Sequence, residues 1–296
     1  MAALKVDQAY VKAAASAREH LNTLIHQDQL AGRAFIRLAF NDALTYDKLT
    51  NTGGPNGSIR TRKELERPGN AGLSGVVELI KGLQAKYPAL SHADLIQLAA
   101  VAAVAAAGGP EVHIALGRAD SWSYPPPGRL PDPRASEDPV AHLRALASRL
   151  GLALKQLIAL AGVHPLCGRW WPGDELPANP QGSPARFSNA YFRDVLEGKT
   201  DPWLLKDAET SHLVAEFAAD EGVFAKEYVL AHEALSCLGT RLMAQGRSDS
   251  GGLSANGAGL LSEEQWALAQ VAAAVVIGAA VAAGLYWRRR RRLLRH

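Results

Sequence analysis

The stretch WALAQVAAAVVIGAAVAAGLYW, residues 266–287, runs for 22 residues without a charge and so decides where a water-soluble fold must stop. As a helix rising ~1.5 Å per residue it would reach roughly 33 Å, enough to cross a hydrocarbon layer of about 30 Å. Trp266 at one end and Tyr286 and Trp287 at the other stand where aromatic side chains meet lipid headgroups. Arg288 to Arg292 follow at once, and a run of guanidinium groups does not enter a bilayer cheaply. A buried alanine-rich core helix would share the composition. It would not explain the stretch before it, 244–265, which is rich in Gly, Ser and Ala and reads as a flexible linker. The chain therefore divides into a folded domain over 1–243, a linker over 244–265, a transmembrane helix over 266–287 and a basic tail over 288–296. A span so placed inserts after translation, which predicts a single-pass anchor with the domain facing the cytosol.

The net charge of +3 follows from that tail. Six arginines lie in the last nine residues, and without them the 32 basic residues fall to 26 against 29 acidic ones. The basic pI is thus no sign of a nucleic-acid-binding face, and no nucleic-acid partner is expected. Two cysteines, Cys167 and Cys237, form neither a zinc pattern nor a disulfide framework. The N-terminus carries no apolar signal core. It reads as an amphipathic helix with Tyr10, Ala14 and Leu21 inward.

Helical spacing dominates the rest. It runs over Ala31–Ala43, Gly72–Lys86, Ala93–Ala107, Asp138–Arg149, Lys155–Val163, Ala190–Glu197, Glu209–Glu221 and Phe224–Leu238. Strand signals are few, with short strands conceivable around Val112–Ala115, and PPPGRLPDP at 125–133 is a rigid loop. The fold class is mostly α. No phosphate loop, dinucleotide fingerprint or nucleophile elbow occurs.

Ordered motifs then carry a resemblance. RLAFNDALTYDKLTNTGGPNGSIR at 37–60, RPGNAGL at 67–73, SHADLIQLAAVAAVAAAGGPEV at 91–112 and GRADSWSYPPPGRLPDP at 117–133 come first. IALAGVHPLCGR at 158–169, FSNAYFRDVLEG at 187–198 and FAADEGVFAKEY at 217–228 complete the order. Together they resemble class I haem peroxidases, the ascorbate peroxidase and cytochrome c peroxidase group. The resemblance implies a two-lobed, mostly helical fold with one haem b between the lobes. It implies His164 as the axial ligand of the iron and Asp207 as the carboxylate behind that imidazole, with Arg37 facing the haem from the other side. Asn70 is the residue that orients the distal group. Hydrogen peroxide and a small reductant such as ascorbate are the implied substrates. Anchors of this kind are similar to those of peroxisomal ascorbate peroxidases, which favours the peroxisomal membrane over the mitochondrial or endoplasmic reticulum membranes.

The departures matter as much. Where the family's distal helix has Arg, two apolar residues, Trp and His, this chain has Arg37, Leu38, Ala39, Phe40 and Asn41. Phe40 still shields a haem plane but loses an N–H donor. Asn41 holds a peroxide or water by hydrogen bonds but, being an amide, takes no proton near neutral pH, a job imidazole does. Asp42, one residue on, is turned ~100° away. On the proximal side Pro165 follows His164 and predicts an end or bend in the helix there. The family's proximal tryptophan position falls on Leu176, and its cation ligands correspond to Pro165, Pro177 and Ser188, so no potassium or calcium site is expected. Arg169 is a candidate for the reductant's arginine. Two readings stand: a membrane-anchored peroxidase with impaired distal acid–base catalysis, or an inactive homologue serving as a structural, haem-binding or interaction module, with membrane-complex partners.

Overall fold

Asp7 starts the regular structure. Its side chain accepts the Tyr10 N–H at 2.9 Å and caps α1, Gln8–Gln27. Tyr10, Ala14, Ala17, Leu21 and Ile25, three or four residues apart, form the buried stripe, which includes the three positions expected from sequence. Asp28 then does two jobs. Its N–H donates to the Leu24 carbonyl at the end of α1, and its carboxylate accepts from Leu30 and Ala31 at 2.9 and 3.2 Å to open α2, Gln29–Ala43. The computed structural model describes residues 6–167 and 186–240 together with Leu4 and Leu242.

A short helix α3, Arg62–Leu65, precedes α4, Ser74–Lys86, and α5, His92–Ala106. Ser91 caps α5 by accepting the Asp94 N–H at 3.0 Å. Every residue from Ala93 to Val104 is buried, so α5 is an axial helix covered on all sides. Helices α1, α2 and α4 pack around it. Its polar residues are accounted for. Gln97 donates to the Ala39 carbonyl at 3.3 Å, and Asp94 accepts from Tyr10 Oη and the Gly117 N–H, both at 2.6 Å. Arg118, equally buried, closes that network by donating to Asp94 at 2.8 Å and to the Ser236 carbonyl at 2.9 and 2.7 Å.

A second helix group follows: α6 (Pro139–Leu150), α7 (Leu154–Ala161), α8 (His164–Cys167), α9 (Ala190–Leu196), α10 (Ala208–Ala219) and α11 (Glu221–Ser236). Aromatic rings fill the space among α7, α9, α10 and α11. Phe192 lies 5.1 Å from both Phe217 and Phe224, and Phe187 stacks on Phe224 at 4.9 Å. Gly162 is obligatory beneath this cluster, because a Cβ there would come within 2.6 Å of the Phe192 and Phe224 rings. The two helix groups meet along α2, which packs against α8 and α11.

Two expectations change. The run around Val112–Ala115 forms no strand. Its neighbours bind it by single hydrogen bonds, such as His113 N–H to Glu233, and no second extended segment pairs with it. Among the described residues the sole β-pairing is the isolated bridge between Asp47 and Thr52. The pattern read as Glu209–Glu221 and Phe224–Leu238 breaks at Asp220, which ends α10 and caps α11 by accepting from Gly222 and Val223. No described helix is long and apolar enough to cross a membrane. The proposed linker over 244–265, the span at 266–287 and the basic tail lie outside the described residues, as do Arg169, Leu176 and Pro177.

Candidate active site

Helix α2 carries Arg37 and Asn41 one turn apart, hence on one face. Arg37 donates to the Ala71 carbonyl at 2.7 Å. The orientation of Asn41 follows from its surroundings. Only an amide NH₂ can donate to a backbone carbonyl, so Asn70, which reaches the Glu64 carbonyl at 2.8 Å, turns its Oδ1 the other way. Asn41 Nδ2 donates to that Oδ1 at 2.8 Å and to the Gly69 carbonyl at 3.0 Å. Both its amide hydrogens are thereby used, and what Asn41 has left to offer a ligand is an acceptor oxygen. Asn70 and the residue it orients are together, as expected. Phe40 is buried edge-on to His232, with ring centroids 5.1 Å apart.

Asp42 turns away from this face. It is fully buried and accepts the Gly57 and Ile59 N–H groups at 2.8 and 3.3 Å, so it shapes the loop after α2. Burial, reinforced by the nearby Glu64 carboxylate, pushes its pKa up to about 8. An acid raised in this way holds its proton in the folded state over a range where the unfolded chain has lost it. Its contribution to stability is complete below the unfolded pKa of about 4 and is lost as pH rises through about 8. Wild-type stability should therefore decline between those limits, and Asp42→Asn should flatten that decline in denaturant melts taken across the window. An equal decline in the variant would clear Asp42 of the effect.

Opposite α2, helix α7 ends at Ala161 and a new single-turn helix starts at His164. The break falls at Gly162 and Val163, just ahead of the one Pro165 predicts, and the proline sits in the first turn of α8, where a missing N–H is harmless. Arg33 of α2 donates to the Pro165 and Leu166 carbonyls at 3.0 and 3.4 Å, tying the two helices together. Cys167 is buried on α8. Burial pushes its thiol up to about 12, with Arg37 and Arg33 pulling the other way, so it is no nucleophile.

Asp207, the carboxylate expected behind the imidazole, is found in other contacts. Asp207 is partly exposed and already engaged. It caps α10 by accepting from Glu209 and Thr210, each at 3.1 Å, and it pairs with Arg144 at 3.0 Å. The Thr210 N–H and the Arg144 guanidinium hold its carboxyl below the usual range. The buried acid on the His164 side is Asp201. Tyr191 has its ring 5.9 Å from that of His164, and its hydroxyl donates to Asp201 at 2.8 Å. Trp203 Nε1 donates to the same carboxylate at 3.1 Å. Asp201 holds a left-handed φ of 40°, tolerable for an aspartate whose side chain is so fixed. The Thr-Asp-Pro-Trp run was the available signal: an acid in a turn, two residues from an indole donor. Among the described residues no three metal-ligating side chains cluster.

Known proteins are similar to this chain over most of its length. The family model described as Peroxidase matches residues 17–220. L-ascorbate peroxidase 3 of Arabidopsis thaliana is 38% identical over 94% of this chain and 96% of its own length. Probable L-ascorbate peroxidase 4, peroxisomal, of Oryza sativa subsp. japonica is 39% identical with the same coverage. L-ascorbate peroxidase 5, peroxisomal, of Arabidopsis thaliana is 39% identical over 80% of this chain and 86% of its own length. With a mostly helical structure, a family model that matches residues 17–220 and similarity reaching across nearly its whole length, the chain belongs to the peroxidase family.

Proposed function

We propose that this protein is a membrane-anchored, ascorbate-peroxidase-like haem protein that reduces hydrogen peroxide with a small reductant such as ascorbate, and that its distal acid–base step is impaired. The observation that carries this reading is the Asn41–Asn70 hydrogen bond beside Arg37, a distal group assembled without a titratable base. The residues fit a haem b. An imidazole at His164 with an aromatic ring and a buried carboxylate beyond it suits an axial ligand, and Asp201 takes the supporting role first given to Asp207. Bound haem supplies the iron at which the peroxide O–O bond breaks. Arg37 brings a fixed positive charge to the oxygen that leaves. Asn41 accepts a hydrogen bond from the ligand and orients it but does not carry its proton away.

The anchor reading rests on residues 266–287 and on a relative named as peroxisomal whose alignment, over 94% of the chain, necessarily runs past residue 243. The peroxisomal membrane is the favoured site. The second reading, an inactive haem-binding or interaction module, is favoured by the loss of a titratable group at Asn41.

Haemin added to the full chain should give a Soret band that His164→Ala shifts or abolishes and that added imidazole restores. No band in the wild-type chain sinks the haem reading, and a band indifferent to His164→Ala sinks the ligand assignment.

A further inference from the structure

We infer that the face around the exit of the polypeptide at Leu242 is a membrane-docking surface, which lays the domain against the lipid headgroups. This rests on the anchor reading above and adds an orientation to it.

A cleft of about 380 Å³ is lined by three pieces of chain: the loop through Asn51 and Thr52, the segment through Ser121 and Ser123, and the last described residues, Leu238 to Leu242. The chain leaves the domain there, since a Cβ on Gly117 would lie 3.8 Å from Leu242 Cδ2. The rim of this polar cleft is apolar. Leu49 is 87% exposed, Trp122 74%, and Tyr124 and Leu4 41% each. Leu49 tops the turn closed by the Asp47–Thr52 bridge, Trp122 lies between two lining serines, and the Leu4 N–H donates to the Gly117 carbonyl. Of nine large exposed hydrophobic residues among those described, four border this one cleft, so the patch is concentrated where the chain departs.

Its chemistry suits a bilayer interface better than a dry protein contact. The Arg60 guanidinium sits 4.2 Å from the Trp122 ring centroid, and Lys63 Nζ donates to Tyr124 Oη at 2.6 Å. Trp and Tyr favour headgroup depth, and the exposed Lys63 beside Tyr124 attracts anionic lipid, while Arg60 is buried and only backs the Trp122 ring. The acids around the patch are paired with guanidinium groups: Asp47 with Arg129 at 3.6 Å, Glu66 with Arg62 at 2.6 Å and Asp120 with Arg60 at 3.9 Å. The sequence between the exit and residue 266 sets the reach. Only 23 residues, 243–265, lie between the exit at Leu242 and the apolar stretch that opens at Trp266, so an anchor at 266–287 would be tethered from this face of the domain.

The test uses the full chain with Cys237→Ser, reconstituted in phosphatidylcholine vesicles containing phosphatidylserine. Nitroxide labels go on Leu49→Cys and Tyr124→Cys, with Leu196→Cys, on the exposed side of α9, as the control. Flotation reports anchoring, and relative collision with oxygen and with a water-soluble nickel chelate reports depth. The expected result is a chain that floats, with an oxygen-to-nickel ratio several-fold higher at 49 and 124 than at 196. A floating chain with all three labels equally wet overturns the docked face and leaves the anchor intact. A chain that does not float overturns both. Spin–spin broadening at 49 and 124 that dilution with unlabelled chain removes, without any gain in depth, assigns the face to a second copy and also overturns the proposal.

Discussion

An Asn41→His variant of the full chain, loaded with haemin, should react with hydrogen peroxide about 10²–10⁴ times faster than the wild type, the range over which a positioned acid–base group typically acts. The surroundings already suit an imidazole. Asn70 Oδ1, now accepting from Asn41 Nδ2 at 2.8 Å, would accept a ring N–H instead and leave the other ring nitrogen as a base facing the ligand. Asn70 itself stays locked by its bond to the Glu64 carbonyl. Stopped-flow recording of the Soret change against peroxide concentration gives the rate. The gain should fade as pH drops below about 6.5, where the new imidazole takes up a proton, whereas the amide gives the wild type no such inflection. A variant with an intact Soret band and no gain would show that the distal amide is not what limits this protein.

Asp94→Ala should cost about 3–5 kcal/mol of folding stability, the loss seen when one member of a buried ion pair is removed. Asp94 and Arg118 are both excluded from water, 2.8 Å apart. The carboxylate also receives Tyr10 Oη and the Gly117 and Arg118 N–H groups, so one side chain joins α1, α5 and the loop through 117. Its removal strands a guanidinium whose remaining partners are the carbonyls of Ala115 and Ser236. Urea titration measures the loss. Asp94→Leu combined with Arg118→Met should recover much of it, because an apolar pair leaves no buried charge uncompensated. A loss no larger than the ~1 kcal/mol of an exposed pair would refute this account.

The helices were legible because their apolar spacing is local. Their caps were not read from the sequence: Asp7, Ser91 and Asp138 each accept the N–H three residues on. Arg37, Asn41 and Asn70 were singled out by resemblance to the family's distal motif, and the structure sets the first two a turn apart on α2 and bonds Asn41 to Asn70. Asp201 was not. Whether Asp201 or Asp207 stands behind His164 depends on how α9 and α10 pack and on which acid a neighbouring arginine claims. Arg144, 63 residues away in sequence, holds Asp207 at the surface. Extended backbone near Val112 misled in the opposite direction, since β-branched residues favour a strand only where a partner exists to pair with it.

The Asp28 joint has a consequence for how this protein tolerates change. One residue both terminates α1 and begins α2, so there is no slack between them, and the angular setting of α2 is inherited from the way α1 seats on α5. Each residue added or removed at that joint turns everything beyond it by ~100°. Arg37, Phe40 and Asn41 would swing off the cleft as a unit, while Asp42 would lose the loop it holds. The side chain at position 41 can thus be exchanged without disturbing this joint, but the twelve residues that lead to it, 29–40, cannot change in number without turning it away.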